Sequence, residues 1–218
     1  ALFPHTLCED CTGRHKVFEP SMTYLPPNKE PEDVIGAVLP PAYRDNDTSL
    51  LPPKQLKRIM QFNPNAKKPK GLYLVGPSRS GKTRSLSHLI SHLIASYPQF
   101  LAQPPSFLPS GELNNQIIQS AKSNRNHKQT IKSIAASNLL ALDDLFNEHL
   151  TKSTEAALLE IFEYRQTHFL PTLITSQFTL PQAAAKFSCP LRAHAITNRK
   201  KESSILITFD LSHKQITT

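Results

Sequence analysis

The sequence has few cysteines, few glycines and no apolar run of membrane-spanning length. Its three cysteines are too few and too unevenly placed for a disulfide framework, which favours a reducing compartment. Ala1 is not followed by a basic segment and an apolar signal core. The 6 glycines stand against 19 prolines, which indicates extended connecting segments. We therefore expect a cytoplasmic protein with no membrane partner.

The chain is basic, since 25 Lys and Arg against 17 Asp and Glu give a formal net charge of +8. This charge suits a polyanionic partner such as nucleic acid, although nucleotide binding or solubility would also account for it. With 218 residues, 39% of them hydrophobic, the chain can bury a globular core. Residues 1–35 are rich in proline and polar residues, so we expect an N-terminal arm there and one folded domain over 36–218.

Four possible zinc ligands lie in the arm, namely His5, Cys8, Cys11 and His15. A Cys-x-x-Cys pair can grip one metal ion from a single tight turn, so one interpretation is a small structural knuckle around Zn²⁺. The alternative is two free cysteines with incidental histidines in an arm. The sequence leaves both open.

A phosphate-binding loop is predicted between a short apolar strand, residues 71–75, and an amphipathic helix that Pro98 ends. The glycines permit tight backbone turns, the loop amides cradle phosphate, the lysine meets the outer phosphates and the threonine binds Mg²⁺. A helix that begins near Ser80 would aim its free N–H groups at the phosphates. The pattern G-x-x-x-x-G-K-[ST] is filled by Gly76, Gly81, Lys82 and Thr83. The predicted nucleotide-binding residues of this loop are Gly76, Pro77, Ser78, Arg79, Ser80, Gly81, Lys82, Thr83 and Arg84.

A second apolar strand, residues 138–144, ends in two carboxylates as the second half of such a nucleotide site must. Asp143 at the strand end can hold Mg²⁺, directly or through water, together with Thr83. Asp144 can orient or deprotonate the attacking water. The alternative is a purely structural role for the paired aspartates, in a helix cap or a turn, but this is a poor fit downstream of an intact phosphate loop.

A third strand, residues 171–177, becomes polar at its carboxyl end, where ligands of open α/β sheets bind. Ser176 or Gln177 can therefore reach the γ-phosphate or its attacking water, unless the strand simply ends in polar turn residues. Further on, Arg192 and Arg199 lie seven residues apart on a predicted helix and can approach phosphate from one face.

The densest basic stretch is predicted to be a surface loop that either meets nucleic acid or is a solvated connector. Its basic residues are Lys122, Arg125, His127, Lys128 and Lys132.

The order of these segments resembles the AAA+ ATPases of the DnaC/IstB type, which are helicase loaders and transposition helpers. The resemblance covers roughly residues 34–209. It rests on Gly-Pro-Ser-Arg-Ser-Gly-Lys-Thr, Leu-Leu-Ala-Leu-Asp-Asp-Leu, Leu-Ile-Thr-Ser-Gln and Ile-Thr-Asn-Arg, and on Leu-Pro-Pro-Ala-Tyr-Arg-Asp before the loop.

The resemblance implies an α/β fold of the P-loop NTPase class, with a five-stranded parallel sheet between helices. The strand that ends at Ser176 would lie between the other two site strands, and Ser176 and Gln177 would form sensor 1. Arg199 would be the arginine finger offered to a neighbouring subunit of a homo-oligomer. Tyr43 and Arg44 would sit near the adenine. The final strand is followed by only nine residues, so we expect no C-terminal lid domain.

Two departures bear on activity. The usual catalytic acid of AAA+ proteins is glutamate, whereas Asp144 is one methylene shorter, and residues 211–218 hold no clear sensor 2 arginine. We therefore expect slow ATP turnover.

The predicted function is that of a helicase-loader-like ATPase of DNA replication that uses ATP and Mg²⁺. Its partners would be a replicative helicase and single-stranded DNA. The alternatives are a transposition helper that serves a transposase, and a nucleotide-dependent binding module with little hydrolysis.

Overall fold

The structure, a computed structural model, describes residues 29–44, 47–49, 51–122 and 126–211. Its centre is a sheet of five parallel strands in the order β2-β3-β4-β1-β5. This confirms the predicted parallel five-stranded sheet, with β4 between β1 and β3. The strands are β1 (Gly71–Val75), β2 (Ser106–Pro109), β3 (Leu140–Asp143), β4 (Thr172–Ser176) and β5 (Ser204–Thr208).

The three central strands are buried along their whole length, as their near-continuous apolar sequences require. Helices therefore cover both faces of the sheet. They are α1 (Pro31–Val38), α2 (Pro53–Ile59), α3 (Lys82–Ser96), α4 (Pro98–Ala102), α5 (Ser110–Lys122), α6 (His127–Ala136), α7 (Lys152–Thr167), α8 (Leu180–Ala184) and α9 (Pro190–Ser203). A 3₁₀ turn, Pro41–Tyr43, follows α1.

Each face of the sheet has its own hydrophobic core. One core joins α1, α2, α3 and α4 to the face that presents Leu74 and Leu173. The other joins α5, α6, α7, α8 and α9 to the face that presents Tyr73 and Ile174. Because alternate residues of a strand point to opposite faces, each strand-end residue belongs to one core or the other.

The helix α1 extends to Val38 because Pro31 is favourable in its first turn and the side chain of Val34 is buried. One segment differs from the sequence-based expectation. In the basic stretch 122–132, Lys122 ends α5 and residues 127–132 are helical rather than part of a loop. Its later part forms α6, whose Ile131 and Ile134 pack into the core while its lysines face outward.

The edge strand β5 is partly capped by side chains from α2. Gln55 Nε2 donates a 3.2 Å hydrogen bond to Thr208 O, and Arg58 Nη2 donates a 3.3 Å bond to Leu206 O. These contacts join two parts of the chain that lie about 150 residues apart in sequence. They also occupy main-chain acceptors that an edge strand would otherwise offer to another chain.

Among the described residues, no helix combines the length and the apolar character needed to cross a membrane.

Candidate nucleotide site

The loop of residues 76–81 joins β1 to α3 and requires glycine at both ends. A Cβ atom at Gly76 would lie 2.3 Å from the carbonyl oxygen of Phe209, because the segment after β5 runs close beside it. Gly81 has a φ of 92°, a left-handed conformation that glycine adopts without strain. The loop therefore delivers the chain into α3 with the free amides of the first helical turn facing the loop.

The Lys82 side chain lies within this loop. Its ammonium group donates a 2.7 Å hydrogen bond to Pro77 O and a 3.4 Å bond to Ser80 Oγ. Ser80 Oγ donates to the same carbonyl at 2.8 Å. Burial lowers the pKa of Lys82, while the charges of Asp144 and Asp143 act in the opposite direction. A cation is thus held where the phosphates of a nucleotide would meet the loop.

Asp143 joins the loop to the neighbouring strands. Its Oδ1 accepts a 2.9 Å hydrogen bond from Thr83 Oγ1 and a 2.6 Å bond from Thr175 Oγ1. The residue is only 4% exposed, and burial raises the pKa of its carboxyl although both hydroxyl donors lower it. The carboxylate and the Thr83 hydroxyl are both oxygen ligands of the kind that Mg²⁺ takes in nucleotide sites.

Asp144 lies in a tight turn directly after β3. Its φ of 52° is left-handed, and its N–H donates a 2.8 Å hydrogen bond to Thr175 Oγ1. The next N–H, of Leu145, donates to Thr175 O at 2.9 Å. Two bonds to β4 therefore hold the backbone of Asp144, while its side chain stays half-buried beside Asp143. Aspartate is one of the few L-residues that adopt this conformation readily.

Ser176 lies on the other face of the sheet. It is fully buried, its hydroxyl donates a 2.8 Å bond to Leu145 O, and it accepts a 3.1 Å bond from Phe178 N. The residue that reaches Asp143 is Thr175, which the sequence reasoning missed. A signal for it was present, because strand alternation places Thr175 with Leu173 on the face that α3 covers. Gln177 follows β4 and is half-buried.

Three solved structures show what this arrangement resembles. DnaI is 25% identical over 72% of this chain and 79% of its own, with a TM-score of 0.56. The DnaC helicase loader is 18% identical over 76% of this chain and 96% of its own, with a TM-score of 0.57. The replication initiator DnaA bound to AMPPCP and single-stranded DNA is 14% identical over 80% of this chain and 51% of its own, with a TM-score of 0.61. No protein-family model and no curated protein matches the sequence.

The chain has a DnaI/DnaC-type AAA+ fold. The resemblance inferred from the sequence motifs is confirmed at this level. In the AAA+ sheet the strand that carries Thr175 lies between the loop strand β1 and the aspartate strand β3, so the three parts of the site meet at one edge.

The two residues predicted near the adenine lie at the end of the 3₁₀ turn, where Tyr43 is its last residue and Arg44 follows it. Burial raises the pKa of the Tyr43 hydroxyl, and the charges of Asp143 and Asp144 raise it further, so the phenol lies within electrostatic reach of the AAA+ site. Arg44 instead turns towards α1, where it donates to Leu39 O at 2.8 Å and to Gly36 O at 2.6 Å. Arg84 is half-buried in the first turn of α3.

The two predicted arginines of α9 both contact α7. Arg199 Nη2 lies 3.1 Å from Glu163 Oε1, and its side chain is 25% exposed. Arg192 Nη1 lies 3.5 Å from the buried Glu155 Oε2. Within one protomer these arginines therefore contact α7, and the predicted contact of Arg199 with a nucleotide requires a second protomer.

The predicted zinc ligands His5, Cys8, Cys11 and His15 lie outside the described residues, as does Arg125. Within the described part of the chain, no three His, Cys, Asp or Glu side chains form a group that could hold a metal ion. Lys122, Lys128 and Lys132 are exposed, and His127 Nδ1 lies 2.9 Å from Ser120 Oγ.

Proposed function

We propose that this protein is an ATP-binding and ATP-hydrolysing AAA+ ATPase of DNA replication that acts as a helicase loader in the cytoplasm. The observation that carries the proposal is the Asp143 carboxylate, which accepts hydrogen bonds from Thr83 of the phosphate loop and from Thr175 of β4. Loop, aspartate strand and intervening strand are thereby joined at one point, which is the arrangement that nucleotide hydrolysis requires.

The residues present fit ATP and Mg²⁺. The loop amides from Gly76 to Gly81 and the Lys82 ammonium would hold the phosphates, and Thr83 and Asp143 would hold the metal ion. Bound Mg²⁺ would neutralise charge on the phosphate oxygens. Asp144 would orient the attacking water, and Thr175 would hold both aspartates in place.

A modest rate of hydrolysis is part of this proposal. The side chain of Asp144 is one methylene shorter than glutamate, and its backbone is fixed by the bonds of residues 144 and 145 to Thr175. The short side chain therefore has little freedom to approach a water molecule. This observation also favours a second candidate function, a binding module that holds ATP and barely hydrolyses it.

ATP turnover with and without single-stranded DNA tests the enzymatic part. We expect Lys82→Ala to abolish turnover and Lys57→Ala, an exposed lysine of α2, to leave it unchanged. Identical rates in the wild type and Lys82→Ala would contradict hydrolysis. If the wild type binds ATP but shows no turnover above Lys82→Ala, the binding module is the correct function.

The choice of client rests on the solved structures, whose names include a helicase loader and a replication initiator with bound single-stranded DNA. We propose that residues 36–218 form the ATPase domain and that residues 1–35 form a partner-docking arm. The test is deposition of a hexameric replicative helicase on single-stranded DNA by the full chain with ATP. Failure to bind or deposit a helicase, together with stimulation by a transposase, would assign the protein as a transposition helper.

A further inference from the structure

A cavity lined by charged and apolar side chains lies at the end of the sheet opposite the nucleotide site. It has a volume of about 200 Å³ and is lined by residues that directly precede β1, β4 and β5 and by the last turns of α7 and α9. Because the strands are parallel, their N-terminal ends all lie at the same end of the sheet. The phosphate loop follows the C-terminal end of β1 and so lies at the opposite end. The strands β1, β4 and β5 are each five residues long, so about 16 Å of strand separates the two ends.

The cavity is lined by an excess of positive charge. Four cations, Lys68, Lys70, Arg165 and Lys200, face it together with a single carboxylate, Glu202. The carboxylate accepts a 3.3 Å hydrogen bond from Gln166 and forms no ion pair with any residue that the structure describes.

Lys200 is the central observation, because it is only 4% exposed. Its ammonium group lies 4.0 Å from the centroid of the Phe162 ring. It makes no hydrogen bond or ion pair within residues 29–44, 47–49, 51–122 and 126–211. Buried ammonium groups in proteins are ordinarily paired with an anion or hydrogen-bonded, since an unpaired buried charge is strongly destabilising.

The neighbouring Arg165 is a second buried cation, and it also has no anionic partner among the described residues. It is 1% exposed, and its guanidinium donates only to neutral oxygens: those of Ala135 at 3.0 Å, Ser137 at 2.6 Å, Pro171 at 2.5 Å and Thr172 at 3.0 Å. Two buried cations thus lie near one another beside a cavity, and no carboxylate in the described part of the chain is paired with either. A negatively charged ligand in the cavity would supply the missing partner.

We propose that this cavity binds a small free dianion of the sulfate and phosphate type. Lys200 would hold the anion from the inside, and Lys68 and Lys70 would attract it at the mouth. The volume of about 200 Å³ is below the roughly 300–1,000 Å³ of sites for drug-sized ligands, so it fits a single oxyanion rather than a nucleotide. The proposal does not depend on ATP hydrolysis.

Binding should be linked to protons. Burial, together with the positive charge of Arg165, lowers the pKa of Lys200 to about 7. A bound dianion favours the charged ammonium, so binding takes up a proton above pH 7 and weakens as the pH rises. The other charged groups that face Lys200 are Arg165 on α7, Lys68 and Lys70 before β1, and Glu202 on α9.

Sulfate is the suitable probe, because its charge is constant over this pH range. The test compares the thermal stability and the calorimetric sulfate affinity of the full chain in sodium sulfate and in sodium chloride of equal ionic strength. The variants are Lys200→Met and Lys201→Met, the second removing an exposed lysine from the same helix turn. Both keep the phosphate loop, so any sulfate bound there contributes equally.

We expect Lys200→Met to lose about tenfold or more in sulfate affinity while its anion-free form is as stable as the wild type or more so. Lys201→Met should behave as the wild type. Equal sulfate affinity in Lys200→Met and the wild type, or no sulfate effect beyond chloride in the wild type, would overturn the proposal. If Lys200→Met does not fold, the exposed pair Lys68→Ala with Lys70→Ala should weaken sulfate binding severalfold, and unchanged binding would count against the site.

Discussion

One hydroxyl group, that of Thr175, fixes both aspartates of the candidate site. It donates a 2.6 Å hydrogen bond to Asp143 Oδ1 and accepts a 2.8 Å bond from the N–H of Asp144. The same carboxylate oxygen accepts from Thr83, so β4 and the phosphate loop hold Asp143 from two sides.

Replacing Thr175 by valine keeps the shape of the side chain and removes the hydroxyl. The buried carboxyl of Asp143 loses a donor and the Asp144 N–H loses its acceptor, so the free energy of unfolding should fall by about 1–3 kcal/mol. ATP turnover should fall by about 10- to 100-fold, as for other groups that orient metal ligands. Urea unfolding and steady-state turnover measure these effects. Thr208→Val, on an exposed position of β5, is the control, and a Thr175→Val protein as active as this control would contradict the role.

The ionised Asp143 should destabilise the nucleotide-free protein. Burial raises its folded-state pKa above the ordinary 3.8, so the native state holds this proton more tightly than the unfolded state. The associated stability is fully present below pH 3.8 and is lost as the pH rises through the raised pKa. Asp143→Asn should therefore have a higher melting temperature than the wild type at pH 7, with a smaller difference at pH 4. It should also lose stabilisation by Mg²⁺ and ADP. A lower melting temperature at pH 7, relative to the wild type and to Asp144→Asn, would refute this prediction.

Two glycine substitutions should change the free energy of unfolding in opposite directions. Ala at position 76 would place its Cβ 2.3 Å from the main-chain oxygen of Phe209, so Gly76→Ala should lose about 1–3 kcal/mol or more and weaken nucleotide binding. At position 36, inside α1, the nearest atom to a Cβ is Arg44 Cζ at 4.0 Å. Gly36→Ala should therefore gain about 0.5–1 kcal/mol, since glycine is unfavourable within helices. Urea titrations of both variants check the sign, and a neutral Gly76→Ala would show that the chain after β5 moves aside easily.

If Arg199 completes the site of a neighbouring protomer, mixed oligomers should recover activity. Arg199→Ala and Lys82→Ala should each be inactive alone, because one lacks the arginine and the other the loop lysine. In a mixture, the arginine of the Lys82→Ala protomer can serve the intact loop of the Arg199→Ala protomer. Turnover against mixing ratio measures this recovery. Glu163→Gln, which removes only the 3.1 Å ion pair with Arg199, should keep most activity. Two inactive variants that remain inactive at every ratio would exclude a shared site.

Lys128 and Lys132 should contribute to single-stranded DNA binding. They are exposed, lie four residues apart on α6 and so project from neighbouring turns. The double replacement by alanine should weaken binding regardless of base sequence. It should also reduce the slope of log K against log salt by about 0.7 for each phosphate group that the variant no longer neutralises. Fluorescence anisotropy at several salt concentrations gives this slope. A matched double variant of Lys54 and Lys57 on α2 should leave it unchanged, and equal slopes in both variants would place the DNA elsewhere.

The sequence predicts those parts of the fold that depend on local pattern. The apolar strands, the loop between two glycines and the Asp-Asp ending each occupy one continuous segment, and each appears in the structure as expected. Thr175 was missed because its role depends on which face of β4 it shares with Asp143, a relation between two segments. Lys200 could not be recognised because the run Arg-Lys-Lys-Glu looks solvated, and only helix packing buries one member of it.

The helix α6 was missed for a related reason. Its segment has a dense set of basic and polar residues, which favours a solvated loop when the composition alone is considered. Its two apolar positions, Ile131 and Ile134, are three residues apart and contact the core, and this burial stabilises the helix.

The sheet order also has a consequence for synthesis of the chain. The strand β1 pairs on one side with β4 and on the other with β5, so both of its partners are made roughly 100 or more residues later. While a ribosome is still translating residues 76–171, the apolar β1 segment has no pairing partner on either side, because β4 and β5 have not yet been made. Such a nascent chain is exposed to aggregation, and a chaperone that shields residues 71–75 during translation would raise the yield of folded protein.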